Sequence, residues 1–165
     1  MRRVISIVLV LEFVLWAASA SLAQGYGGGG GNEPSQPSPP PPPSSTAPAN
    51  AKAITQLRTG IEHARNAAGS GATAAAISHL GHTLNCIEGV RGKNFNASWG
   101  HVCQGQGDGI VNDIKSARNA GNFMLVLESA DALAASGVKA GELGAVQSAA
   151  RGVGALLQIV LDGIR

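Results

Sequence analysis

The chain holds only two cysteines, Cys86 and Cys103, and only six aromatic residues among 165. Beyond Asn50 there is no proline, and the aromatics there are Phe95, Trp99 and Phe123 alone. A core in that region must be built from Ala, Leu, Ile and Val, small side chains that let helices approach while each buries modest area. Charge is scarce as well, at 13% of residues, with twelve Lys or Arg against ten Asp or Glu. The charges are dispersed, with no basic cluster and no aromatic platform, which excludes nucleic acid as an expected partner. No Cys-x-x-Cys-His occurs, so covalent haem of the c type is excluded. No nucleophile, base and orienting acid fall together by spacing, so the expected protein is not an enzyme.

What is present begins with an export signature. Arg2 and Arg3 precede an apolar run from Val4 to Trp16, and Ser21-Leu22-Ala23 follows as a small-residue cleavage site. Residues 1–23 therefore read as a secretory signal peptide, giving a periplasmic or secreted product with no stable membrane span after cleavage. Position 24 is Gln, so no lipid-attachment cysteine follows the site, although Glu12 inside the run leaves an uncleaved anchor open. Residues 24–50 carry Gly27 to Gly31 and all eight prolines. That composition predicts a disordered linker, flexible at its Gly run and extended at Pro39 to Pro43. Two thiols sent into an oxidising compartment are expected to pair, as Cys86–Cys103.

Residues 51–165 form the expected folded domain, all-α. Ile54, Leu57, Ile61, Ala64 and Ala68 fall three and four apart, one stripe of a helix, and Gly69-Ser70-Gly71 ends it. A second stripe runs through Ile77, Leu80, Leu84 and Ile87, closed by Gly89, and so short a turn makes the two helices antiparallel. Residues 89–109, with six glycines and no apolar period, read as loop. A third stripe over about 109–136 shifts phase near Gly121-Asn122, so that either one long helix spans it or the helix kinks or breaks at Gly121. A fourth spans about 139–163. The expected architecture is an up-and-down four-helix bundle with a disulfide-clamped Gly-rich loop. A short repeat, Ile61-x-x-Ala64-Arg65-Asn66-Ala67 against Ile114-x-x-Ala117-Arg118-Asn119-Ala120, raises an ancient duplication.

At about 100° per residue, His79, His82 and Cys86 share the face of the second helix opposite its apolar stripe. A Cys86–Cys103 bond would draw the loop across that face and carry His101 towards His79 and His82. Three imidazoles so gathered could hold one copper, zinc or nickel ion. His63 faces away from its own stripe and is left outside this set. Gln104-Gly105-Gln106-Gly107-Asp108-Gly109 lacks the strand and the Lys or Ser/Thr of a phosphate loop. Asp108, Asn112 and Asp113 do not follow the order of a calcium loop. Trp99 is expected to pack over the bundle end.

Glu62-His63-Ala64-x-x-Ala67 and His79-x-x-His82, in an Ala-rich exported bundle, resemble the small periplasmic metal-binding proteins of bacteria. Those are four-helix proteins whose repeated histidine-alanine heptads bind copper and other divalent ions. The resemblance spans about Ile54 to Cys86 and implies at most one site, since this chain has four histidines. The expected function is thus an exported binding protein with one transition-metal ion. The alternative is a structural or protein-interaction module of the cell envelope, with an envelope protein as partner and no ligand.

Overall fold

The computed structural model describes residues 47–164; the expected signal peptide and most of the linker lie outside them. Five α-helices occur among the described residues: α1 (Ala47–Gly69), α2 (Thr73–Glu88), the one-turn α3 (Ile110–Asp113), α4 (Ala120–Gly137) and α5 (Leu143–Ile164). A 3-10 turn at Ala97–Trp99 is the only other regular element described, and no described residue is in a strand. The described residues are all-helical in their regular structure. Helix α1 opens earlier than the composition implied and takes in Ala47–Asn50. Pro48 does not oppose this, because the first-turn N–H groups of a helix have no internal acceptor to lose.

The long helices form a bundle in which α1 packs on α2 and α5, and α4 on α5 and α2. Contacts across three of these pairs run in reversed order. Gly60 meets Thr83 and His63 meets His79 across α1 and α2. Gly60 approaches Leu157, and Ala64 approaches Gly154, across α1 and α5. Gly137 lies against Ala149, Gly152 against Leu133 and Gly163 against Phe123 across α4 and α5. Small residues make these approaches close: a Cβ added at Gly137 would stand 2.6 Å from the Ala149 methyl and 2.7 Å from Leu80 Cδ2. Substituting Gly137 with Ala must therefore push α4 off its neighbours. We expect a loss of about 1–3 kcal/mol, read by chemical unfolding, as is usual for overpacking.

One core of Leu57, Leu80, Leu84, Ile87, Ile110, Ile114, Leu127, Val153 and Leu157 has no exposed surface. The stripe of α1 is rotated from the expected one. Ala53, Gln56, Gly60 and Ala67 are buried, whereas Ile54 and Ala68 are only partly so. Alanine and glycine win the central positions because they allow the helix axes to close. Helix α5 is, by length and composition, apolar enough to cross a membrane. In this fold it is a core helix, burying Val146, Ala150, Val153, Leu157, Val160 and Leu161.

The third helix departs from expectation. It breaks before Gly121, not at it: α3 ends at Asp113, turns occupy 114–119, and α4 opens at Ala120. Gly121 sits in the first turn of α4, with nothing within 4 Å of an added Cβ. Polar side chains tie the start of α3 to the preceding loop and to α1. The Asp113 carboxylate accepts from Asp108 N at 2.8 Å and from Gln56 Nε2 at 2.5 Å, and Asn112 Nδ2 donates to Asp108 O at 2.9 Å. These bonds fix where the short helix begins and where it meets α1. Ile114 and Ala117 remain buried, so the apolar pattern belongs to the core without belonging to one helix. The repeat noted above is accordingly helical in its first copy and turn in most of its second.

Candidate metal centre

Cys86 and Cys103 are bonded, with Cα atoms 5.4 Å apart. Both are fully buried, and the described residues include no free thiol. A disulfide is more typical of an extracellular or periplasmic protein than of a cytosolic one. The bond lays the Gly-rich loop over the second half of α2, as the sequence implied. Consequently that half is buried nearly all round, from Leu80 to Glu88. Asn85 lies beneath the loop with no exposed surface. Its Nδ2 donates to Asn96 O at 2.9 Å and Gly100 O at 2.7 Å, and its Oδ1 accepts from Asn96 N at 2.9 Å. The Trp99 ring, on the turn between these anchors, covers Gly81 so closely that an added Cβ would lie 2.3 Å from it. Trp99 thus packs on the bundle, as expected.

Three histidines meet where α1 crosses α2, and they are not quite the three that the sequence selected. His63 of α1 stands between His79 and His82 of α2, with Nδ1–Nδ1 distances of 3.2 Å to His79 and 3.3 Å to His82. One ligand atom from each of the three lies within 4.8 Å of the others. All three side chains are half-buried. His101 is not part of this group. Its ring packs edge-on against Phe95, centroids 5.4 Å apart. The clamp holds the backbone at Cys103, but the turn before it aims the His101 side chain along the loop.

His63 was legible through hairpin geometry rather than through its own helical wheel. The link between α1 and α2 is centred on Gly71, and His63 and His79 each lie eight residues from it. In an antiparallel pair with so short a link, equidistant residues face each other. Thr83 then fixes the spacing, its hydroxyl donating to Gly60 O at 3.1 Å and reaching His79 O at 3.2 Å.

The electrostatics favour neutral rings at His63 and His82. Burial, then the charges of His82 and His79, lower the His63 pKa, with Glu62 opposing. Burial lowers that of His82 as well, followed by a raising hydrogen bond to the Trp99 backbone and a lowering from His79. A neutral imidazole is the form that ligates metal. For a tetrahedral ion with M–N bonds of 2.0–2.1 Å, the N–N edge is about 3.3 Å. Two edges of the triangle already have that length, and closing the third needs a movement of the His79 and His82 rings alone. A three-histidine set leaves a fourth position for water or a small ligand.

A second polar cluster lies at the opposite end of α2. Glu88 accepts from Asn94 N at 2.6 Å and Asn94 Nδ2 at 2.7 Å. Asp131 of α4 faces it, paired with Lys93 at 3.8 Å. Burial, then the hydrogen bond and negative charge of Glu88, push the Asp131 carboxyl up to about 6, while Lys93 pulls it down. Because this value exceeds the ordinary 3.8, the folded chain keeps the proton longer than the unfolded chain does. The associated stability is complete below pH 3.8 and lost as pH rises through about 6. Asp131→Asn should therefore stabilise the protein at pH 7 by about 1 kcal/mol after allowance for screening. The gain should disappear at acid pH; equal thermal shifts at both pH values would contradict it.

No protein-family model, no curated protein and no solved structure matches the chain.

Proposed function

We propose that this protein is an exported, non-catalytic binding protein holding one transition-metal ion at His63, His79 and His82. The observation that carries the reading is the convergence of three Nδ1 atoms from two helices, with two separations of 3.2 and 3.3 Å. Imidazole donors suit zinc, copper and nickel, and the resemblance to small periplasmic metal-binding proteins points to the same ions. His63 replaces His101 in the ligand set first drawn from the sequence. The reversed order of contacts along α1/α2, α1/α5 and α4/α5 supports an up-and-down four-helix bundle as the scaffold. The arginine-led apolar segment at residues 2–16 and the disulfide support a periplasmic or secreted location.

The test is metal content and a titration with zinc, copper(II) and nickel on the untagged protein purified from an oxidising compartment. About one ion per chain is expected, lost in His79→Ala and retained in His101→Ala. If no ion saturates, or His101→Ala binds no better than His79→Ala, the reading falls. A disulfide-clamped envelope scaffold would then be the account to pursue, through its protein partners.

A further inference from the structure

The loop that carries Phe95 and Trp99 does more than cover α2. Between it and the end of α4 lies a cavity of about 230 Å³, and none of the three clustered histidines lines it. Its apolar walls are Phe95 and Trp99 of the loop, Leu84 of α2, and Ala135 and Val138 at the end of α4. Its polar lining is Lys93, Asn94, Asn96 and Lys139. Drug-sized ligands occupy roughly 300–1,000 Å³, so this cavity suits one small ring.

Charge selects what that ring must carry. Both lysines are exposed, and no acidic residue lines the cavity. Lys139 has no ion-pair partner among the described residues. Lys93 stands 3.8 Å from Asp131, beyond hydrogen-bond reach, and Asp131 lines the neighbouring cavity instead. The carbonyl end of α4 would oppose an anion here. Its carbonyls at Ala134, Ser136 and Gly137, however, already accept from the N–H groups of Val138, Lys139 and Ala140.

Asn96 adds a neutral donor in a fixed position. Asn85 holds its backbone N–H and carbonyl, and its Oδ1 accepts from Ser98 N at 2.9 Å and Ser98 Oγ at 2.7 Å. A backbone N–H can only donate, so the Asn96 amide must present Oδ1 to Ser98. Nδ2 is left without an acceptor among the described residues. Asn94 Nδ2, by contrast, is committed to Glu88 at 2.7 Å. The available donors are thus two ammonium groups and one amide, set beside apolar and aromatic walls. A sugar acid would press its hydroxyls against those walls with few partners, at a cost in lost hydrogen bonds. An aromatic ring matches the walls, and a carboxylate matches the donors.

We propose that this cavity binds a small aromatic carboxylate, its ring between the loop and α4 and its carboxylate towards Lys93, Lys139 and Asn96 Nδ2. The site does not depend on the metal reading above.

The test is an NMR titration of the whole protein with benzoate, following the Asn96 side-chain amide and the Trp99 indole N–H. EDTA in the sample prevents any bound ion from offering benzoate another place. Both signals should move saturably, with a dissociation constant on the order of 1 mM. Benzyl alcohol has the ring without the charge, and glucuronate has the charge on a hydroxylated ring. Each should bind at least about 5-fold more weakly. Lys93→Ala combined with Lys139→Ala changes two exposed side chains and should weaken benzoate about 3- to 10-fold. Asn96→Asp keeps the oxygen that accepts from Ser98 and replaces the donor with a repelling charge. It should weaken benzoate at least about 10-fold with helical content unchanged. The proposal is overturned if benzoate does not saturate or moves neither signal. It is overturned equally if either control ligand binds as tightly as benzoate, or if Asn96→Asp or the double lysine variant binds it as the parent does.

Discussion

Replacing both cysteines, as Cys86→Ser with Cys103→Ser, is expected to lower stability by about 3 kcal/mol and the melting temperature by about 10 °C. The chain-entropy argument gives that size for two residues 17 apart in sequence. The local structure makes it a lower bound. Both sulfurs are fully buried, Cys86 against Gly60 of α1 and Cys103 beneath Gln56, whose carbonyl lies 3.9 Å from its Sγ. Serine hydroxyls would bring polar groups into that space. The loop would also lose the covalent half of its hold on α2, leaving the Asn85 bonds alone. We therefore expect Trp99 emission to shift towards that of a wetter indole below the main unfolding transition, because the loop frees before the bundle melts. The other tryptophan of the sequence is Trp16, so the measurement is made on residues 24–165, where Trp99 is the one indole. A single transition, within about 3 °C of the parent, would show that core packing and not the clamp sets the stability.

How the site forms also explains why part of it could be read in advance. Apolar spacing located α1, α2 and α5, and glycines marked their ends, because each helix presents one apolar side to a common centre. The cysteine pair followed from compartment chemistry. What a single-helix wheel could not supply was the depth of burial on the remaining sides. On α2 the cysteine pair implied that the loop crosses the histidine face, but not that Asn85 and Cys86 beneath it are fully buried. The centre of α1 shifts to Ala53, Gly60 and Ala67, residues that carry little weight in a hydrophobic pattern and great weight in how near two axes can come. The break at 114–119 follows Asp113, which Gln56 holds from 57 residues away, a contact that no local window contains. His101 failed to join the cluster for a related reason. A disulfide fixes where the backbone passes and says little about the direction of a side chain two residues earlier, which found Phe95 instead.

His63→Ala should abolish metal binding and, in the same protein, relieve acid sensitivity. The ligand argument is geometric: His63 is the member shared by both short Nδ1 contacts, so without it His79 and His82 are only an i, i+3 pair on one helix. Affinity should fall further than the loss of an outer-shell partner costs, beyond about 100-fold. Zinc at 100 times the parent dissociation constant should raise parental stability by about 2.7 kcal/mol and leave the variant almost unmoved. The acid argument concerns the metal-free chain. Burial and neighbouring imidazoles hold His63 and His82 below the ordinary 6.5, so the folded state binds fewer protons than the unfolded state in the window beneath that value. Stability must rise with pH towards 6.5 and decline as pH falls through the folded values. Removing His63 takes away its own desolvation and the repulsion that the His82 and His79 charges exert on it. The variant should therefore lose less stability than the parent between neutral pH and pH 5. Asp131 titrates in the same range with the opposite sign, raised to about 6, but it is common to both proteins and cancels in the comparison. A variant that binds zinc as the parent does would remove the ligand assignment. A parallel pair of stability curves would show that the three rings neither crowd nor repel one another in solution.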